Sequence, residues 1–297
     1  MAMPISVLKN SVFFAMLMML ACACGQLGLM HPASPASAPL VAELQPTYDA
    51  ALADYNIATA TADGHPSLTD CDDTVWAGTA CLGGAGVRMT DLEYPAPGEL
   101  QRRPAATGTC WQPGVTGTQP SASTASRDDA VLYMACLVKQ GDKPALGRFQ
   151  TYVQANGGFF GQPADPNLTL MTPTLNAILA RAISGGSAGV DIEAPGVKDY
   201  QDHIEVEEVL LSTAVNGGAN GWELALLESL AAEFPDDALF EAAKGVYTGD
   251  CQRAPALLLE KETPMPSYVR GDQAALFAKA WWLRAAALVL SHCKEST

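Results

Sequence analysis

Residues Ser121 to Val138 read SASTASRDDAVLYMACLV: a serine-rich lead-in, then Arg127-Asp128-Asp129, then a run that is apolar almost all round. Ser126 is placed to cap a helix, and Asp129 stands at its third helical position, close to a capping box with Asp in place of Glu. Val131, Leu132, Met134, Ala135, Leu137 and Val138 cover more than one helical face, which predicts a buried helix rather than an amphipathic one. Gly141-Asp142 closes it. Charges crowded at the head of a buried helix are one way to present polar groups at the mouth of a helical barrel.

Helical signals continue on both sides of this stretch. Val41 to Thr59 has moderate helical character, and Asp63-Gly64-His65-Pro66 is a turn by composition. Thr69 is placed to cap a helix whose first turn carries Asp70, Asp72 and Asp73, the end where the helix dipole favours acids. That helix runs through Val75, Trp76, Ala80 and Leu82 and stops at Gly83-Gly84. Residues 88–119 hold most of the irregular sequence, a loop long enough to be functional or pinned by disulfides. Pro144 to Ala155 gives a partner helix. Thr172-Pro173 starts another, as an N-cap followed by proline at the first position, and Asp202 is expected to cap the next. Trp222 to Phe234, Asp237 to Tyr247, Arg253 to Lys261 and Asp272 to His292 complete a series of short antiparallel helices. Strand-like alternation is almost absent, so the fold class is all-α. The expected arrangement is an α/α-toroid-like array, whole or incomplete. Ala231 to Leu259 has some tetratricopeptide character, but no repeat keeps register.

The amino terminus reads as an export signal. Lys9 is followed by the apolar run Val12 to Leu20, too short to span a bilayer in a mature protein, and then by the small residues around Ala21. Met19-Leu20-Ala21-Cys22 resembles a bacterial lipobox, which makes Cys22 the lipidation candidate, with Cys24 as competitor. Met30 to Pro39 is rich in Pro, Ala and Ser and fits a flexible tether. The expected division is 1–21 signal peptide, 22–40 tether and 41–297 helical domain, with the membrane reached through the lipid anchor and the protein exported to the periplasmic face or cell surface. The formal charge of −15 becomes −16 once Lys9 is removed with the signal, and such acidity excludes nucleic acid as a partner.

Six cysteines remain beyond the anchor region: Cys71, Cys81, Cys110, Cys136, Cys251 and Cys293. An even number in an oxidising compartment suggests disulfides with fifteen possible pairings. Cys251 and Cys293 flank the last helical unit and are expected to pair. Cys136 can equally be a buried free thiol.

Four stretches in order, covering most of Asp63 to Leu259, carry a family resemblance. They are Asp63-Gly64 with Asp72-Asp73-Thr74-Val75-Trp76; Arg102-Arg103-Pro104 with Cys110-Trp111; Ser126-Arg127-Asp128; and Gln201-Asp202-His203-Ile204 ahead of Ala238-Leu239-Phe240. Through them the chain resembles an uncharacterised group of predicted bacterial lipoproteins with an all-helical, α/α-toroid-like domain. That group has an apolar residue such as Met after Ser-Arg-Asp, where this chain has Asp129. The resemblance implies fold and location and assigns no activity; a link between α/α toroids and glycans is analogy at the level of fold.

The sharpest enzymatic reading uses Asp73 and Asp128. Both stand in the first turn of a helix, and two carboxylates facing across a cleft are the general acid and base of a glycoside hydrolase- or lyase-like activity. The plainer reading is that both are favourable N-terminal charges. Arg127, with Arg103 beside Arg102, could hold a sugar carboxylate or phosphate, or Arg127 could pair with Asp73 or Asp128 inside the domain. Trp111 and Trp76 could stack on sugar rings, Trp76 being more typical of a core. His203 and Glu207 share a helix face at i, i+4, yet no further metal ligands accompany them, and Glu205, Glu207 and Glu208 read as a solvated acidic face. Gly185 to Gly189 spells G-x-S-x-G but follows a helix, where the nucleophile elbow needs a strand. No cofactor motif is present. Two functional readings result: a lipid-anchored protein that binds and cleaves a glycan near Asp73, Arg127 and Asp128, or a non-catalytic interaction protein in which those charges form a buried Arg–Asp network.

Overall fold

The computed structural model describes residues 38–59, 73–102, 124–161, 170–185, 199–216, 221–249, 251–260 and 274–293. The expected signal peptide, Cys22 and Cys24, most of the tether, Thr69, Cys71, Cys110 and Gly186 to Gly189 lie outside the described residues. Those residues form ten α-helices: α1 (Ala38–Thr59), α2 (Asp73–Leu82), α3 (Arg127–Gln140), α4 (Lys143–Ala155), α5 (Pro173–Ser184), α6 (Asp199–Asn216), α7 (Gly221–Glu233), α8 (Ala238–Thr248), α9 (Arg253–Glu260) and α10 (Ala274–His292). Beyond them the described residues hold a short 3-10 turn at Met89–Leu92 and two isolated bridges, Glu93 to Leu100 and Phe159 to Leu170. The protein is all-α.

The local chemistry of the helix ends follows the sequence closely. In α3 the Asp129 carboxylate accepts from the Ser126 backbone N–H at 2.8 Å, the return half of a capping box. The Thr172 hydroxyl accepts from Leu175 N–H at 3.1 Å, with Pro173 following it in the first turn of α5. Asp142 and Asp237 cap α4 and α8 through Ala145 N–H and Leu239 N–H. One boundary differs. Helix α6 begins at Asp199, so Asp202 lies within its first turn rather than capping it.

Helix α3 is as enclosed as its composition demands, buried from Asp128 to Leu137. It lies between α2 and α6, with α4 beside it, while α10 packs on α1, α2, α8 and α9. Helices α2 and α3 run in the same direction. Gly78 lies against Leu132, Cys81 is bonded to Cys136, and Lys139 reaches the carbonyls of Cys81 and Leu82 at 2.9 and 2.8 Å, so both chains advance together. The approach is close enough to require glycine: a Cβ on Gly78 would stand 2.6 Å from Leu132 Cβ and 2.9 Å from its carbonyl carbon. Cys136 is therefore half of a disulfide rather than a free thiol, because the same crossing brings Cys81 to a Cα–Cα distance of 5.9 Å. Cys251 pairs with Cys293, tying the end of α10 to the start of α9.

The described part of the irregular segment 83–102 is held by polar clamps. Glu93 accepts from Tyr133 O–H at 2.8 Å, from Arg148 Nη2 at 2.8 Å and from Gly98 N–H at 2.6 Å. The Thr74 hydroxyl donates to the Gln101 carbonyl at 2.7 Å. These bonds give the backbone of a non-periodic stretch the partners it cannot find within itself. Substituting Gly78→Ala should cost about 1–3 kcal/mol of stability, the usual penalty for overpacking a tight contact. Urea unfolding of the purified protein reads this directly, and an unchanged midpoint would mean that the two helices can part at no cost.

Candidate functional site

Two regions gather polar side chains, and the first is the shared starting end of α2 and α3. Their common direction brings the first residue of α2, Asp73, to the same end of the pair as Arg127 and Asp128. Asp128 is 3 % exposed, and its Oδ1 accepts from the Asp129 N–H at 3.1 Å and from the Ser126 hydroxyl. Its carboxylate is thus oriented by the first turn of its own helix. Arg127 is half-buried, and it acts on Glu208, which burial pushes up and the Arg127 charge pulls back down. Trp76 is buried in the core beneath. Asp73 and His203 are placed on α2 and α6 by backbone only, while Arg103, Trp111 and Cys22 lie outside the described residues.

The three consecutive-face acids of α6 do not form a solvated surface. Glu205, Glu207 and Glu208 are 4 %, 1 % and 7 % exposed. Arg284, far along the chain on α10, meets Glu207 in a two-pronged pair, Nε to Oε1 at 2.8 Å and Nη2 to Oε2 at 2.9 Å. A fork-shaped guanidinium pairing is what lets a carboxylate stay ionised away from water.

That pair stands behind the second region, a cavity of about 820 Å³ lined by α1, α3, α6, α8 and α10 and by Leu82 at the end of α2. Its wall is mainly aliphatic, with Leu82, Val138, Leu210, Leu211, Val246 and Leu288 prominent. Polar groups interrupt it at defined points. Lys139 donates to the last carbonyls of α2, and Tyr48 donates to the Gly83 carbonyl at 2.8 Å, so the open end of α2 is capped from two other helices. Between α6 and α8 the Thr213 hydroxyl donates to Val209 O at 2.8 Å and is hydrogen-bonded to the Tyr247 hydroxyl. Burial, and after it the Arg284 guanidinium, pull the Lys139 ammonium down to about 8, against an opposing pull from Glu207. Burial and Arg284 likewise hold His292 below its ordinary value, while burial pushes the phenols of Tyr48 and Tyr247 up.

Among the described residues no group of three or more His, Cys, Asp and Glu side chains is arranged to hold a metal ion, and no helix is long and apolar enough to cross a membrane. Comparison with protein-family models, curated proteins and solved structures gave no match. Function is therefore argued from the site alone.

Sequence reading missed the cavity because six helices contribute to it, and it missed Lys139 and Arg284 because each is an isolated cation in an apolar run, Lys139 near the end of α3 and Arg284 in the middle of α10. The usable signal was that a cation on such a helix needs a buried partner. Removing half of the ion pair by Arg284→Met should cost about 3–5 kcal/mol, since it strands Glu207, whereas combining it with Glu207→Leu should restore most of the loss. Chemical denaturation of the single and double variants tests this; equal losses in both would show that the arginine stem, not the charge, carries the contribution.

Proposed function

We propose that this chain is an exported binding protein that holds a small, largely apolar molecule in the cavity among α1, α3, α6, α8 and α10. The observation that carries the reading is the cavity itself. Its volume of about 820 Å³ falls within the range of small-molecule sites, and its aliphatic wall with a few placed polar groups is the composition such sites have. Export is supported by the amino-terminal sequence and by the two disulfides, which persist in oxidising compartments. The likeness to predicted lipoproteins adds a lipid anchor at Cys22 and a toroid-like arrangement of the helices to the reading. In this reading Asp128, whose Oδ1 accepts from the Ser126 hydroxyl and the Asp129 N–H, serves its helix start.

The test is saturable binding of a neutral apolar dye such as 1-aminoanthracene to the soluble domain. Ala214 lines the cavity and is exposed, so Ala214→Trp obstructs the space without overfilling the core. The variant should fold normally by circular dichroism and bind the dye at least about tenfold more weakly, the effect of losing a substantial part of the apolar contact. Absence of saturable binding in the unmodified protein would sink the proposal.

A second reading, a glycan held and cleaved at the shared start of α2 and α3, is favoured by one observation: their parallel course brings Asp73 and Asp128 to the same end. Asp73→Asn with Asp128→Asn should then abolish binding to a glycan panel while the fold is kept. Reduced stability with no glycan bound by either protein would leave capping as the role of both acids.

A further inference from the structure

We propose that the cavity selects an amphipathic anion, with the apolar body against the aliphatic wall and a carboxylate or phosphate head at Lys139 and Arg284. The inference rests on the cavity being a binding site. Charge points to the class of head group. The chain has 32 acidic and 17 basic residues, yet the charged residues lining this cavity are Lys139 and Arg284, with no Asp or Glu among the lining. Arg284 is matched from behind by Glu207. Lys139 is met by two backbone carbonyls and, among the described residues, by no carboxylate within 4 Å. Carbonyl dipoles satisfy two of its three N–H groups, and the carboxylate that acts on it from a distance, Glu207, is already engaged by Arg284. An anionic head placed there gains a charge-assisted hydrogen bond from the third N–H and brings an opposite charge into direct contact with the ammonium. A neutral ligand of the same shape gains neither. The downward pull on the ammonium fits this account, because burial first and the Arg284 charge second disfavour the positive form in the free site.

The charged and titratable groups facing Lys139 come from every wall. Arg284 and His292 stand on α10, Glu207 behind Arg284 on α6, Tyr48 on α1 and Tyr247 on α8. His292 lies below its ordinary value and the two tyrosines lie above theirs, so Lys139 is the group that changes charge in the mildly alkaline range. Its loss of a proton with rising pH removes the positive charge and with it the preference for an anion.

The experiment compares decanoate, decyl phosphate and decanol by displacement of the bound neutral dye. Both anions should bind at least about tenfold more tightly than decanol near neutral pH, the scale of one hydrogen bond to a charged group. In the unmodified protein the decanoate-to-decanol preference should shrink as pH rises from about 7 to about 9.5, with the decanol affinity level. Lys139→Met should remove the preference while leaving decanol binding in place, and Lys139→Arg should retain it. A carboxylate bound in preference to the phosphate, or the reverse, identifies which head the site is shaped for. Equal affinity for all three ligands, or a preference that ignores pH, overturns the inference while leaving the apolar cavity reading intact. Failure of all three to displace a dye that binds overturns the inference alone, and failure of the dye to bind brings down both. The pH series needs no variant, so it stands even if Lys139→Met does not fold.

Discussion

The crossing of Gly78 on Leu132 is the contact on which the other packing depends. It sets α2 and α3 at a separation that only a glycine permits, and the Cys81–Cys136 bond fixes the same crossing covalently. Because the two helices advance in the same direction, the chain between them must travel back their full length. Part of that return, residues 83–102, is described, and Glu93 and Thr74 pin it to α3, α4 and the start of α2. The finishing end of α2 is carried against α10, where Gly83 faces Leu283, and its carbonyls are taken up by Lys139 and Tyr48. One close approach therefore determines both where the acidic helix starts meet and where the cavity has its wall.

Charge is handled in two ways inside this framework. Glu207 and Arg284 neutralise one another through matched geometry, which offsets the desolvation that each would suffer alone. Lys139 is treated differently, with helix-end carbonyls in place of a carboxylate. A carbonyl pair lowers the cost of burying an ammonium but does not cancel the charge. The contrast between two cations on one cavity, one matched and one not, gives that wall its electrostatic character in an otherwise acidic protein.

How far the fold could be read in advance depended on how local its causes are. The apolar density of Val131 to Val138 foretold a buried helix, and Thr172-Pro173 and Asp237 foretold helix starts, because capping is decided within four residues. Cys251 and Cys293 were legible as a pair from their place around one helical unit. The acids of α6 were not legible. In sequence Glu205, Glu207 and Glu208 look solvated, and what meets two of them inside the fold is distant in the chain: Arg284, 77 positions away, for Glu207, and Arg127 for Glu208. The Cys81–Cys136 bond depended on the parallel course of α2 and α3, which no periodicity reveals. Of the candidate site residues, Asp128 stands at the helix start expected of it, whereas Trp76, offered as a surface for sugar rings, is buried in the core as its plainer reading had it; the cavity had no linear signature at all.

The disulfides divide the chain in a way that bears on how the cavity could admit a guest. Of the eight cysteines, Cys251 and Cys293 are the only two after residue 136, and they bond to each other. No disulfide can therefore join the earlier portion of the chain to the later one. The cavity is walled by both portions, with α1, α2 and α3 from one and α6, α8 and α10 from the other. The polar bonds along its wall respect the same division: Lys139 and Tyr48 hold α2, Arg284 holds Glu207, and Tyr247 holds Thr213. Across the seam the cavity wall is mainly aliphatic, while away from the cavity Lys279 on α10 reaches Asp54 on α1 at 3.7 Å and Arg127 on α3 acts on Glu208 on α6. At the cavity itself, then, two separately stapled portions meet through apolar packing, and the charged contacts that cross between them stand away from it.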